Sequence, residues 1–329
     1  MGMKTVLTQG AVMLLSPLVV GMSAVGLMGA GVVFAQDYPN KPIRIVTATA
    51  GGGSDLTARI IAQGISGPLG QPVVVENRTV LLALEFVSKA PPDGYTLTVM
   101  GGSSLVLPLL QKASFDAVRD FSPISLLVRA VNLIAVHPSL PVKSVKELIA
   151  LAKAKPGALN YSSSTIGASS HLGAELFKSM AGVNIVHVPY KGTGASITAL
   201  ISGEVQLTIN DVGFIAPHAK SGRLRALAVT SDQPSELAPG LPTVAASGLP
   251  GYEMTGLTGI AAPAKTPAAI INRLHQESVR VLNQPDVKEK YFNSGVEIVG
   301  SSPEQFAAVM RAEITKWSKV IKDAGIKLE

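Results

Sequence analysis

The chain repeats one unit: a short apolar run, a glycine-rich break, then apolar residues at helical spacing. Ile43-Arg44-Ile45-Val46 leads into Gly51-Gly52-Gly53-Ser54-Asp55, and Leu56, Ile60, Ile61 and Ile65 follow on one helical face. Val73-Val74-Val75 reads as a second buried strand. Leu81 to Ala90 reads as a helix closed by Pro91-Pro92-Asp93-Gly94, and Tyr95 to Met100 as a third strand. Strands alternating with helices predict a parallel sheet covered by helices, an α/β fold.

A second set of units follows Leu133-Ile134-Ala135-Val136, which passes through Pro138 and Pro141 into a helix from Ser144 that Gly157 ends. Its strands are Leu159–Ser162, Ile185–Val188, Val205–Ile209 and Leu224–Val229, with helices Ser170–Ala181 and Ala195–Gly203 between them. The pattern Ala135-Val136-His137-Pro138 returns loosely as Ile260-Ala261-Ala262-Pro263, so two similar strands are expected to carry the chain out and back between two lobes. Helices Ala268–Asn283 and Pro303–Ala324 close the chain; the stripe Phe306, Met310, Ile314, Trp317, Ile321 of the latter is ordinary core. With 329 residues, 47% of them hydrophobic, there is apolar material for more than one lobe.

Residues 1–35 carry a single charge, Lys4, ahead of an apolar run from Gly10 to Ala35. Val33-Phe34-Ala35 has the small residues a signal peptidase reads, which predicts an export signal cleaved after Ala35. The competing reading is an uncleaved membrane-spanning helix. No cysteine is present, so disulfides, thiolate metal sites and lipid attachment at a cysteine are excluded. Removing Lys4 leaves 27 Lys+Arg against 22 Asp+Glu, a mild positive balance that favours anionic solutes only weakly. The basic residues are scattered and aromatics are 5%, so the footprint of nucleic-acid binding is missing.

In such sheets ligands sit beyond the carboxyl ends of strands, where helix N-termini present free backbone N–H groups to an anion. Four segments occupy that position. Ala48-Thr49-Ala50-Gly51-Gly52-Gly53 lets backbone approach a ligand, and Asp55 beyond it is either a helix cap or a contact to a ligand's ammonium or hydroxyl. The segment Ser162-Ser163-Ser164-Thr165-Ile166-Gly167-Ala168-Ser169-Ser170 places six hydroxyls in nine residues between a strand and a helix, which suits a carboxylate. Tyr190 with Lys191, and Asn210-Asp211, complete the set.

Enzyme signatures are missing: Gly192-Thr193-Gly194-Ala195-Ser196-Ile197 lacks the third glycine of a dinucleotide loop, and there is neither G-x-S-x-G nor a P-loop. The five histidines never take metal spacing, so no metal or cofactor is expected. A Ser–His pair such as Ser163 with His187 stays open as a weak hydrolase alternative.

Several segments resemble the Bug receptors of tripartite tricarboxylate transporters. They are Tyr38-Pro39-Asn40-Lys41-Pro42-Ile43-Arg44, Gly51–Asp55, Gly70-Gln71-Pro72-Val73-Val74-Val75-Glu76-Asn77-Arg78, Ala90-Pro91-Pro92-Asp93-Gly94-Tyr95-Thr96-Leu97, Lys143–Leu148, Ser169–Leu172, His187–Gly192, Leu224–Val229 and Leu241–Val244. The resemblance implies a type II periplasmic binding protein fold, two doubly wound α/β lobes joined by a two-strand hinge. Lobe 1 would comprise residues 37–137 plus 257–329 and lobe 2 residues 138–256. It implies a monomer in the periplasm that traps a carboxylate between Ala48–Asp55 and Ser162–Ser170 and delivers it to a permease of one large and one small subunit. A sensor kinase is the alternative partner.

Departures from the family pattern cluster around these loops. Thr47-Ala48-Thr49-Ala50 stands where the family usually shows Pro-Phe-Pro-Pro, and Thr165-Ile166-Gly167-Ala168 replaces Gly-x-Gly-Thr. Asn210-Asp211 replaces Asp-Asn, and Leu257-Thr258-Gly259 replaces Trp-Phe-Gly. Thr79-Val80-Leu81-Leu82-Ala83-Leu84 is shorter and more apolar than the usual glycine-rich loop. Lost bulk at Ala48 and Leu257 predicts a larger or aromatic carboxylate.

Overall fold

The computed structural model describes residues 38–324 apart from Thr49 and residues 165–167. The predicted export signal therefore lies outside the described residues. Three parallel strands open the chain, β1 (Ile43–Thr47), β2 (Val73–Asn77) and β3 (Thr96–Gly101), interleaved with α1 (Gly53–Leu69) and α2 (Val80–Ser88). Helix α3 (Gly102–Leu110) leads to β4 (Phe121–Val136), and α4 (Val145–Ala154) follows, its N-cap Ser144 accepting from the Glu147 amide. A second parallel set comprises β5 (Asn160–Ser163), α5 (Ser169–Ala181), β6 (Val186–Pro189), α6 (Thr193–Ser202), β7 (Leu207–Asp211), α7 (Val212–Lys220) and β8 (Arg225–Val229). The chain then runs through β9 (Thr255–Pro263), α8 (Ala268–Leu282), α9 (Pro285–Asn293), β10 (Val296–Ile298) and α10 (Pro303–Ala324).

The sheet is mixed, which corrects the all-parallel expectation. Strand β9 is antiparallel to β3 and β4, and β7, β8 and β10 are antiparallel to β4. The order β2-β1-β3-β9-β4-β7-β5-β6 places β4 in the middle. Its first eleven residues pair with β9 and its last five, from Asn132, with β7. One long strand thus serves both halves of the sheet.

Alternation along the last part of β4 is silent in polarity because both faces are covered. Ile134 and Val136 pack on one side with Leu172 and Phe177 of α5, while Val131, Leu133 and Ala135 pack on the other with Ile197 and Leu200 of α6 and Ile215 of α7. Each fully buried Ile or Leu contributes roughly 1.5–3 kcal/mol by leaving water, so this part of β4 is anchored on both faces.

The apolar cluster of the first half joins Val46, Leu84, Leu105, Leu126, Phe306 and Met310, and it includes Leu257. A Cβ on Gly259 would lie 2.2 Å from the Phe306 ring, so glycine there is what lets α10 seat its aromatic on β9. Leu257 is 6% exposed within this cluster, so its side chain fills core rather than a cleft. This corrects the expectation that Leu257 widens the ligand site.

Candidate functional site

The first glycine loop leaves β1 at Thr47, whose hydroxyl donates to the Val99 carbonyl of β3 at 2.9 Å. Gly51 takes a left-handed φ of 83°, which favours glycine, and α1 starts at N-cap Gly52 without a side-chain cap. Asp55 supplies the missing brace by reaching back. It accepts from the Gly51 amide at 2.9 Å, from Asn77 Nδ2 at 2.8 Å and from Arg59 Nε at 3.2 Å. Burial pushes its carboxyl up, but those hydrogen bonds together with the Arg59 charge outweigh it and hold the group below the usual carboxylate range. Asn77, which sequence reasoning missed, also donates to the Ala48 carbonyl at 2.7 Å. Asp55 and Asn77 shape the loop, and Ala50, Gly51, Gly52 and Gly53 stay exposed with no side chain larger than methyl.

The serine loop divides into scaffold and rim. Ser162 is fully buried, donates to the Ser196 carbonyl at 3.1 Å and accepts from Ser196 Oγ at 2.8 Å, which ties β5 to α6. Ser170, 1% exposed, accepts from the Ser164 amide at 3.1 Å and so closes the loop on itself. Thr165 and Gly167 lie outside the described residues. Ala168 is the N-cap of α5 and, with Ser169, remains half-buried.

Ser163 and His187 do meet, with Ser163 Oγ 2.7 Å from His187 Nε2. The His187 ring stacks on Tyr161 at 4.8 Å and sits 4.4 Å from His171. Burial, and then His171 beside it, push the His187 pKa down to about 4. Tyr161 donates to Glu175 at 2.7 Å, and Glu175 also takes Lys178 at 2.6 Å. Ser163 is 0% exposed, so a substrate carbonyl has no line of attack to it, and an imidazole of that pKa is a weak base at neutral pH.

Asn210 and Asp211 are the last two residues of β7, which corrects the expectation that they lie in the segment beyond the strand's end. The Asn210 Oδ1 accepts from the Asp211 amide at 3.0 Å. Burial raises the Asp211 pKa to about 6. Tyr190 donates to Glu204 at 2.7 Å, and Lys191 is exposed.

Two helix N-termini meet on one cavity of about 430 Å³. Gly102 and Ser103 begin α3, Ala168 and Ser169 begin α5, and Leu107, Leu172, Met254 and Trp317 give the cavity an apolar body; Glu313 also lines it, its carboxylate paired with Lys316 and accepting from Trp317 Nε1. Backbone N–H groups at one end and hydrocarbon at the other suit a carboxylate with a carbon tail. Gly102 and Ser103 were missed in the sequence; the signal was Val99-Met100-Gly101-Gly102, the same strand-to-glycine step as the first loop. Among the described residues no cluster of metal-ligating side chains occurs, and no helix is long and apolar enough to cross a membrane.

Residues 57–326 match the model of the family described as "Tripartite tricarboxylate transporter family receptor". The chain is 32% identical over 307 residues to Protein BugT of Bordetella pertussis, covering 91% of this chain and 94% of BugT. Among solved structures it is similar to R. palustris Rpa4515 with adipate, at 36% identity and a TM-score of 0.73, over 88% of this chain and 99% of that one. The periplasmic binding protein BugD has 30% identity and a TM-score of 0.70, over 89% and 100%. MatC from Rhodopseudomonas palustris with bound malate has 27% identity and a TM-score of 0.71, over 86% and 100%. The α/β fold is that of these periplasmic binding proteins.

Proposed function

We propose, on the premise that this chain belongs to the tripartite tricarboxylate transporter receptor family, that it is an extracytoplasmic receptor which traps a carboxylate and hands it to a two-subunit permease. Receptors of this family bind solutes and are not enzymes, and Rpa4515 and MatC hold the dicarboxylates adipate and malate. The observation that carries the reading is the cavity flanked by the N-termini of α3 and α5, one on each half of the sheet. A carboxylate bound there gains from both helix ends, each contributing roughly 0.3–1 kcal/mol.

The lobes are residues 37–137 plus 257–329 and residues 138–256, and the chain acts as a periplasmic monomer after cleavage following Ala35. The backbone at Gly102–Ser103 and Ala168–Ser169 grips the anion in the cavity, with the exposed glycine loop Ala48–Gly53 and the serine segment Ser162–Ser170 as the further contacts made when the lobes close, while Asp55, Ser162 and Ser170 hold those loops in shape. Half-buried Ala48, in place of an aromatic, leaves room for a ligand longer or wider than a C4 diacid.

A thermal-shift screen of the protein lacking residues 1–35, against aliphatic and aromatic mono- and dicarboxylates, tests the reading. A rise in melting temperature that grows with ligand concentration is expected for at least one acid. No shift with any acid contradicts it.

A further inference from the structure

The cavity of about 430 Å³ follows α3 from Gly102 and Ser103, at its start, past Val106 and Leu107 to Leu110, its last residue. That is the whole of a nine-residue helix, roughly 12 Å at 1.5 Å of rise per residue. Ser103 is exposed, and Leu107, Leu110, Ala168 and Ser169 are half-buried, so solvent and a ligand with it reach the helix ends. A Cβ on Gly101 would lie 3.1 Å from Ser54 Oγ, so the first glycine loop abuts the same end of α3.

Charge along this cavity is one-sided. Among the described residues that line it none is a lysine, arginine or histidine, and the sequences of the two loops beside it, 48–54 and 162–170, contain none either. The one ionisable side chain on the described wall is Glu313 of α10, one turn before Trp317. Its carboxylate is satisfied from its own helix, by Lys316 and by Trp317 Nε1 at 2.8 Å. Lys316 is thereby engaged outside the cavity wall, with its ammonium 5.3 Å from the centre of the Trp317 ring. Trp317 itself is 2% exposed in the cluster that holds Val106, Leu172 and Met254, so its ring is a fixed apolar wall.

We propose that the ligand is a monocarboxylate with an aromatic or medium-chain aliphatic tail, and that this cavity selects against dicarboxylates. The inference rests on the receptor reading and narrows it. One carboxylate meets backbone N–H groups at the starts of α3 and α5, and the carbon behind it leaves water against Val106, Leu107, Leu172 and Trp317. A second carboxylate further along would lose its water to an apolar wall that offers no cation and carries the Glu313 charge. Discrimination of this kind comes from the penalty imposed on the wrong ligand as much as from contacts to the right one. Rpa4515 with adipate and MatC with malate hold ligands that carry that second charge, so this chain parts from them at the tail end of the site.

The test is calorimetric titration of the protein lacking residues 1–35 with two matched pairs, hexanoate against adipate and 3-phenylpropanoate against 3-(4-carboxyphenyl)propanoate. In at least one pair the monocarboxylate should bind roughly tenfold or more tighter than the diacid. Leu110→Lys places a cation at the tail end of the cavity, on a half-buried position that tolerates a long side chain, and should tighten the diacid enough to erase or reverse that ratio. Glu313→Gln removes the opposing charge and releases Lys316, and should narrow the ratio in the same direction. Ratios unchanged in both variants would overturn the assignment of selectivity to this cavity. Diacids binding the unsubstituted protein as tightly as their monocarboxylate partners would overturn the inference while leaving the receptor reading standing. Failure of all four acids together with every other carboxylate would overturn both.

Discussion

Asp55 and Asp211 stand in similar places and do opposite things. Each lies where a strand of a parallel set turns into a helix, and each was a candidate ligand residue from sequence. Asp55 is 5% exposed with donors from Gly51, Asn77 and Arg59, and its carboxyl is held below the usual range. The Asp211 carboxylate has no cation and no hydrogen-bond donor among the described residues, and burial raises its pKa to about 6. A carboxylate with donors on several sides is scaffold; one without them carries the full cost of its charge.

The largest expected effect breaks the scaffold side of that contrast. Asp55→Ala leaves Asn77 and the Gly51 amide without their acceptor and should cost about 2–4 kcal/mol in urea unfolding. Asp211→Asn should do the reverse. The folded-state pKa of Asp211 lies above the unfolded value, so its unfavourable charge is fully felt above pH ~6 and fades as the proton returns toward pH ~4. The substitution should therefore stabilise the ligand-free protein at pH 8, by up to ~3 kcal/mol, and little at pH 4. Equal effects at both pH values would show that Asp211 is not desolvated.

How much of this contrast was legible in the sequence depends on what each residue touches. The first strand–glycine–helix unit and the α5 helix are local patterns, and both appear close to their expected bounds. Strand β4 was recognised only over its last four residues, because Ser122, Pro123, Ser125 and Arg129 interrupt the apolar run while pairing with β9 supplies the order. Asn210 and Asp211 read as a loop by residue type, yet antiparallel pairing with β4 holds them in a strand. Leu257 was misassigned for the same reason, since β9 turns it into the core.

The His187 cluster sharpens the comparison on the other side of the serine loop, where polar groups are paired. His171, Glu175, Lys178, Tyr161 and Ser163 surround it, and its folded pKa of about 4 lies below the unfolded value. Stability tied to neutral His187 is present above pH ~6.5 and is lost as pH falls toward 4, because the unfolded chain binds the proton first. Replacing it, as His187→Gln, should flatten that decline by about 1–2 kcal/mol across the window, read by thermal unfolding at steps of pH. A smaller effect belongs to Ala48→Phe, which should leave stability within about 0.5 kcal/mol and shift preference toward shorter acids, checked by the same ligand panel.

The central claim is that a carboxylate is what this protein captures. The most direct measurement is calorimetric titration of the protein lacking residues 1–35 with the best-binding acid and, in parallel, with its methyl ester. The acid should bind at one site per chain while the ester loses at least about tenfold, because helix N-termini no longer face an anion. An ester that binds as tightly as the acid would contradict the account.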